Sequence, residues 1–103
     1  MTTQHEKTLV IAKAMYGEKK VHDCCDVDNN NYIEVDSLPF ERFNPYINAW
    51  HNQAVQKFFK IATHPTSFDK WEAKQILNPA SVTVNKDLKT AIADCAYLVC
   101  KEK

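Results

Sequence analysis

The stretch from Phe43 to Phe59 constrains this chain more than any other, because its pattern demands a helix with a broad apolar face. Asn44 is placed to cap the first turn through its side-chain oxygen. Pro45 takes the first helical position, where a missing N–H costs nothing. Ile47, Trp50, Ala54, Phe58 and Ile61 recur three and four residues apart, with Val55 and Ala62 widening the stripe. Asn48, Asn52, Gln53, Gln56 and Lys60 fill the opposite side. The pattern predicts a helix to about Ala62 that buries Trp50 and Phe58, with Phe59 on its polar side.

Such a helix needs a core to join. The chain has 103 residues, 45% of them apolar, enough for one modest core, and a single domain is expected over residues 1–103. Thirteen basic and thirteen acidic side chains cancel, and Arg42 is the sole arginine. That balance argues against direct nucleic-acid binding, which calls for a basic excess. No apolar run approaches the roughly 20 residues of a membrane span. The opening residues lack a basic region followed by an apolar core, so no signal peptide is expected. Cys24, Cys25, Cys95 and Cys100 are then expected as reduced thiols in a cytoplasm.

The flanking segments predict what packs on the helix. Thr3 and Glu6 form a capping-box pattern, and Leu9, Ala12 and Tyr16 share a stripe that ends at Gly17, the natural left-handed stop. A first helix over about residues 4–16 follows. Val21 to Val27 alternates, Asp28-Asn29-Asn30-Asn31 is a turn cluster, and Tyr32 to Asp36 alternates again, which predicts an antiparallel hairpin. Thr63-His64-Pro65-Thr66 breaks the central helix. Within 67–77, Trp71, Ala73 and Gln75 alternate as in a strand, although Ser67 is also placed to cap a helix. We expect a strand. Asn78-Pro79 is a turn and Ser81 to Val84 is β-prone. Asn85 opens a last helix, with Asp87 in its first turn, Lys101 and Lys103 at its end, and Leu88, Ala91, Ile92, Cys95, Ala96 and Val99 as its stripe. The expected fold is α+β: one small antiparallel sheet with three helices, in the order α-ββ-α-β(β)-α, the central helix lying across the sheet.

Three pieces of this order carry a resemblance: Phe43-Asn44-Pro45, the helix from Ala49 to Phe59, and Lys89-Thr90-Ala91-Ile92. Together they resemble the small phage-encoded α/β/α sandwich proteins, a family of unassigned activity. The resemblance implies a phage or prophage accessory protein in the cytoplasm of a bacterial host cell. Its partner would be a host protein or protein complex, and inhibition of a host defence complex, as anti-CRISPR proteins do, is the sharpest version. It supplies no functional residues.

The residues themselves offer few sites. Asp26, Asp28 and Asn30 match the first oxygen positions of a calcium loop, Tyr32 and Glu34 continue it, and Ile33 fits the apolar plug. Position twelve is Ser37, without the bidentate carboxylate, so an Asx-rich hairpin turn is the preferred reading. A calcium-responsive regulator using Asp26, Asp28, Asn30, Tyr32 and Glu34 is the alternative. Zinc at His22, Cys24, Cys25, Cys95 and Cys100 is disfavoured: Cys24-Cys25 lacks paired-ligand spacing, and Cys95 and Cys100, which match it formally, are turned apart by five steps of helix. A Cys–His nucleophile needs a proximity that spacing does not supply. No catalytic residues and no cofactor are therefore expected, and the protein is read as a non-enzymatic binding protein. Phe40, Phe43, Tyr46, Phe59 and Trp71 are the candidate interaction anchors, Trp71 if its strand lies at an edge. Self-association into a homodimer through a strand edge or helix face is a further expectation. Asp23, Asp26, Asp28, Glu34 and Asp36 against Lys7, Lys13, Lys19 and Lys20 suggest a polarised surface.

Overall fold

The computed structural model describes residues 2–66, 68–78 and 80–101. Ser67, Pro79 and Lys103, to which the sequence assigns a cap, a turn and a helix end, lie outside the described residues. Helix α1 spans Gln4–Tyr16, within the limits its capping signals set. Thr3 Oγ1 accepts the Glu6 N–H at 3.1 Å, and Gly17, at φ 93°, returns its own N–H to the Lys13 carbonyl. Only glycine adopts that backbone without strain. A single 3₁₀ turn, Glu18–Lys20, leads into β1 (Val21–Cys25). This strand pairs antiparallel with β2 (Asn31–Val35), Val21 opposite Val35.

The hairpin turn is held by Asp26. One carboxylate oxygen accepts the N–H groups of Asp28 and Asn30, both at 2.9 Å, and Asn29 takes the left-handed position at φ 61°. This is an Asx turn of the kind the sequence favours.

Helix α2 is shorter than its pattern suggests, Ala49–Phe59. Asn48, not Asn44, is the N-cap, its side-chain oxygen accepting the N–H groups of Trp50 and His51. Asn44 instead closes the preceding turn: its side chain accepts the Tyr46 N–H and its carbonyl the Asn48 N–H, both at 2.9 Å. The helix stops at Lys60, whose left-handed φ of 54° reverses the chain directly into β3 (Ile61–Pro65). The sequence expects helix to Ala62 and a turn at 63–66; the structure makes this segment a strand. The reason is burial. Ile61 is sealed in the core, where Gln56 Nε2 meets its carbonyl at 3.1 Å.

Strands β4 (Trp71–Gln75) and β5 (Val82–Asn85) complete a three-stranded antiparallel sheet in the order β3-β4-β5. The fold is α+β, as expected, but its strands form two sheets. Helix α3, Leu88–Lys101, is the central element, packed on α1, α2, β4 and β5. It is therefore α3 rather than α2 that lies across the larger sheet. Its buried residues are Ala91, Ile92, Ala93, Cys95, Ala96 and Val99, small enough for close approach on both sides. Thr83 Oγ1 donates to the Ala91 carbonyl at 2.6 Å, and Asp94 accepts the Tyr46 hydroxyl at 2.6 Å and Lys7 Nζ at 3.3 Å. Burial, reinforced by that carboxylate, pushes the Tyr46 phenol well above its ordinary range. Among the described residues, no helix is long and apolar enough to cross a membrane.

Asp87 caps α3, its carboxylate accepting Thr90 Oγ1 at 2.6 Å and the Thr90 N–H at 3.2 Å. Asp87→Ala is expected to cost about 1 kcal/mol, read as a lower Tm at pH 7. Thr90 holds the Asp87 carboxyl below the usual carboxylate range, and the Asn30 N–H, ahead of Asp28 and Arg42, does the same for Asp26. With folded values lowered, both contributions are complete above about pH 4 and are lost as pH falls through those values. The stability gap between wild type and Asp87→Ala should thus close in acid.

Candidate functional site

The face that α2 buries is not the one its hydrophobic spacing selects. Inward, and all buried, are His51, Asn52, Val55 and Phe59. Outward stand Ile47 (73% exposed), Trp50 (78%) and Phe58 (51%), with Ala54 half-buried between the two rings. The expectation that Trp50 and Phe58 join the core is corrected here, as is the polar placement of Phe59.

Two rows run side by side on this helix, 50-54-58 and 51-55-59, and the second is the buried one, with His51 bonded through Nδ1 and the neighbouring Asn52 bonded to two backbone carbonyls. Asn52 Nδ2 donates to the Pro45 carbonyl at 2.8 Å and to the Lys89 carbonyl at 2.9 Å. His51 Nδ1 accepts the Asn44 N–H at 3.0 Å, which leaves the ring proton of the neutral tautomer on Nε2. Nε2 is buried without a hydrogen bond and lies 3.8 Å from the Glu41 carboxylate. The imidazole also lies on the Phe43 ring, centroids 5.1 Å apart. Buried polar groups with partners cost little. The row that looks more apolar is thereby left on the surface.

Several proposed anchors are relocated. Phe43 (1% exposed), Tyr46 (6%) and Phe59 (4%) are core residues and present no ring to a partner. The turn before α2 folds them under the helix, where Phe43 also meets Tyr16 edge-on at 5.7 Å. Trp71 sits on β4, the central strand, between Pro65 and Asn85, and packs half-buried against the core. Its strand is not an edge. Phe40 alone of the five stands wholly in solvent, on a left-handed backbone at φ 66°. A bulky residue rarely adopts that conformation.

Ile47 also belongs to a cleft of about 480 Å³ between α1, β2 and the turn before α2. Phe43 and Ile33 lie at its base, and Thr8, Asn31, Asn44 and Asn48 line it. Arg42 and His5 on its lining each have an acidic neighbour. Arg42 lies 4.2 Å over the Tyr32 ring and 3.3 Å from Asp26, and His5 meets Asp23 at 2.8 Å. The cleft and the outward row of α2 thus form one surface joined at Ile47.

The calcium-loop residues are arranged for a turn. Both Asp26 oxygens are engaged, by backbone N–H groups and by Arg42, and Tyr32 lies under the guanidinium. Asp28, Asn30 and Glu34 are exposed around it. Among the described residues, no three His, Cys, Asp or Glu side chains gather as a metal site. The Cys24 thiol points at the His22 carbonyl at 3.7 Å, and the Cys25 thiol at the Asp26 carbonyl at 3.6 Å and the Asn29 side chain at 3.9 Å. His22 on β1 faces Asp36, just after β2, at 2.8 Å, and His64 on β3 faces Glu72 on β4 at 3.5 Å.

The chain matches no family model, no curated protein and no solved structure. The functional assignment therefore rests on the geometry of this surface. Trp50, Ile47 and Phe58 are its exposed apolar side chains, and the sequence signal for their exposure was the parallel row His51-Val55-Phe59, equally spaced at i, i+4 and i+8.

Proposed function

We propose that this chain is a non-enzymatic binding protein that lays the outward face of α2 into an apolar groove on a protein partner. The observation that carries this is the exposure of Trp50 and Phe58 on a helix whose opposite face is already buried, with Ile47 exposed in the turn just before it. Trp50 and Phe58, eight residues apart with Ala54 midway, lie on one face of the helix, the arrangement by which a helix fills a groove. Trp is among the residues that dominate such interfaces, and the Gln53 and Lys57 side chains supply a polar rim beside the row. The cleft continues the surface past Ile47 and accepts a partner side chain. Of possible partners, a host protein complex of the kind blocked by phage inhibitors is the one to test first, on the strength of the Phe43-Asn44-Pro45 resemblance.

The test is capture from host-cell extract with wild type and with the Trp50→Ala/Phe58→Ala double variant. Both rings are solvent-exposed, so the double variant is expected to keep the wild-type Tm to within about 1 kcal/mol of stability. It should lose the captured protein, the truncation of each anchor costing about 2 kcal/mol or more of binding. Equal recovery by both proteins overturns the proposal.

A further inference from the structure

The two outer edges of the three-stranded sheet differ, and the pairing register shows how. Gln75 N–H donates to the Ser81 carbonyl at 3.2 Å, making these two a hydrogen-bonded pair. Such pairs alternate along an antiparallel ladder. With Ala73 opposite Thr83 and Trp71 opposite Asn85, it is Thr83 and Asn85 that direct their backbone groups to β4. Val82 and Val84 therefore turn their N–H and C=O groups away from the sheet, toward the edge.

On the β3 side, the bonds from Ile76 N–H to the Lys60 carbonyl (2.9 Å) and from Thr66 N–H to the Lys70 carbonyl (2.8 Å) set the opposite parity. Ile61, Thr63 and Pro65 face that edge. The Ile61 carbonyl is taken by Gln56, and Pro65 has no N–H to offer. The β3 edge is blunted. The β5 edge carries neither proline nor lysine, and among the described residues the elements packed closely on β5 are β4 and α3. Its valine side chains are 37% and 50% exposed on the uncovered face of the sheet. Natural sheets guard such an edge unless it is used.

We propose that β5 pairs antiparallel with β5 of a second copy of this chain, about a twofold axis at Thr83. Val82 then lies opposite the second copy's Val84, Val84 opposite its Val82, and Thr83 opposite its Thr83. Both valine pairs bring outward-facing backbone groups together, so the strands exchange about four hydrogen bonds, two per pair. A shift of one residue would set outward groups against inward ones, and among the registers of matching parity this one pairs both valines with valines. Along the outer face the row reads Lys74, Val82, then the second copy's Val84 and Glu72: an apolar seam between opposite charges. The formal net charge of zero removes the repulsion between copies. The contact is isologous, so it closes as a dimer with one six-stranded sheet. It leaves α2 free in both copies and stands independently of the groove-binding proposal.

Sedimentation equilibrium across a concentration series tests it. Wild type is expected to rise from the 11.9 kDa monomer to twice that mass. Val84→Pro, which removes an outward N–H without touching the β4 ladder, and Val84→Lys should both stay monomeric. Trp50→Ala should dimerise like wild type. In wild type, the Val82 and Val84 amides should gain protection from hydrogen exchange, roughly tenfold or more, as the concentration rises. This readout needs no variant. A wild type that stays monomeric, or protection of these amides only on adding a strand from another protein, overturns the proposal. So does a dimer that survives both Val84 substitutions with wild-type strength, or one lost in Trp50→Ala alone.

Discussion

Replacing Phe43 by alanine should destabilise the protein by about 3–5 kcal/mol, the largest loss expected of any single truncation in this chain. The ring is 1% exposed, meets Tyr16 edge-on and lies on the His51 imidazole. Its N–H is bonded to the Ile33 carbonyl at 2.8 Å, which ties the turn before α2 to β2. Removing the ring opens a cavity where α1, β2 and this turn converge, and backbone bonding on both sides limits collapse. A thermal or urea titration should show a Tm lower by roughly 15–30 °C. Phe40→Ala is the matched control: that ring touches only water, and its loss should stay within about 0.5 kcal/mol. Similar losses in the two variants would mean that Phe43 is not part of the core. Because Phe43 also forms the base of the cleft, Phe43→Ala should weaken partner binding as well, whereas the outward α2 variants leave stability intact.

The first and last helices were legible in the sequence because their signals agree with one another, although Asn85, read as the opening of the last, ends β5 and α3 begins at Leu88. In α1 the cap, the stripe and the terminating glycine all mark the same limits, and in α3 the stripe is unbroken from Ala91 to Val99. The hairpin was equally readable, since Asp26 and Asn29 supply the turn chemistry that the alternation on either side requires. The α2 region was not. Its two candidate faces differ by one residue, or about 100° of helix, and hydropathy alone prefers the row with tryptophan. The deciding partners are backbone groups: the Asn44 N–H and the Pro45 and Lys89 carbonyls. No local pattern announces them, because Lys89 is 37 residues away in the chain from Asn52. The same long-range packing turned Ile61–Pro65 from a helix end into a strand. The interaction surface followed that error, since anchors sought in Phe43, Tyr46 and Phe59 proved to be core, and rings assigned to the core proved to be exposed.

Asn52→Asp tests that account at its centre. The change is nearly isosteric, yet it replaces the amide's two donors with a carboxylate oxygen facing the Pro45 and Lys89 carbonyls. At 5% exposure the new charge has little water to turn to. At pH 7 the variant should lose about 3–5 kcal/mol, the scale of an uncompensated buried charge. Burial and the facing carbonyls both disfavour the ionised form, so the folded pKa of the introduced group lies above its unfolded value of about 4. Destabilisation is then greatest above the folded value and shrinks as pH falls toward the unfolded one, because the neutral acid recovers one donor. This trend runs opposite to that of Asp26 and Asp87, whose contributions are lost in acid. Measured as ΔG of unfolding against pH, the deficit of Asn52→Asp relative to wild type should therefore narrow on acidification. A deficit that is small, or constant with pH, would mean that Asn52 does not hold α2 against the start of α3. The outward placement of Trp50 would then lose its physical cause.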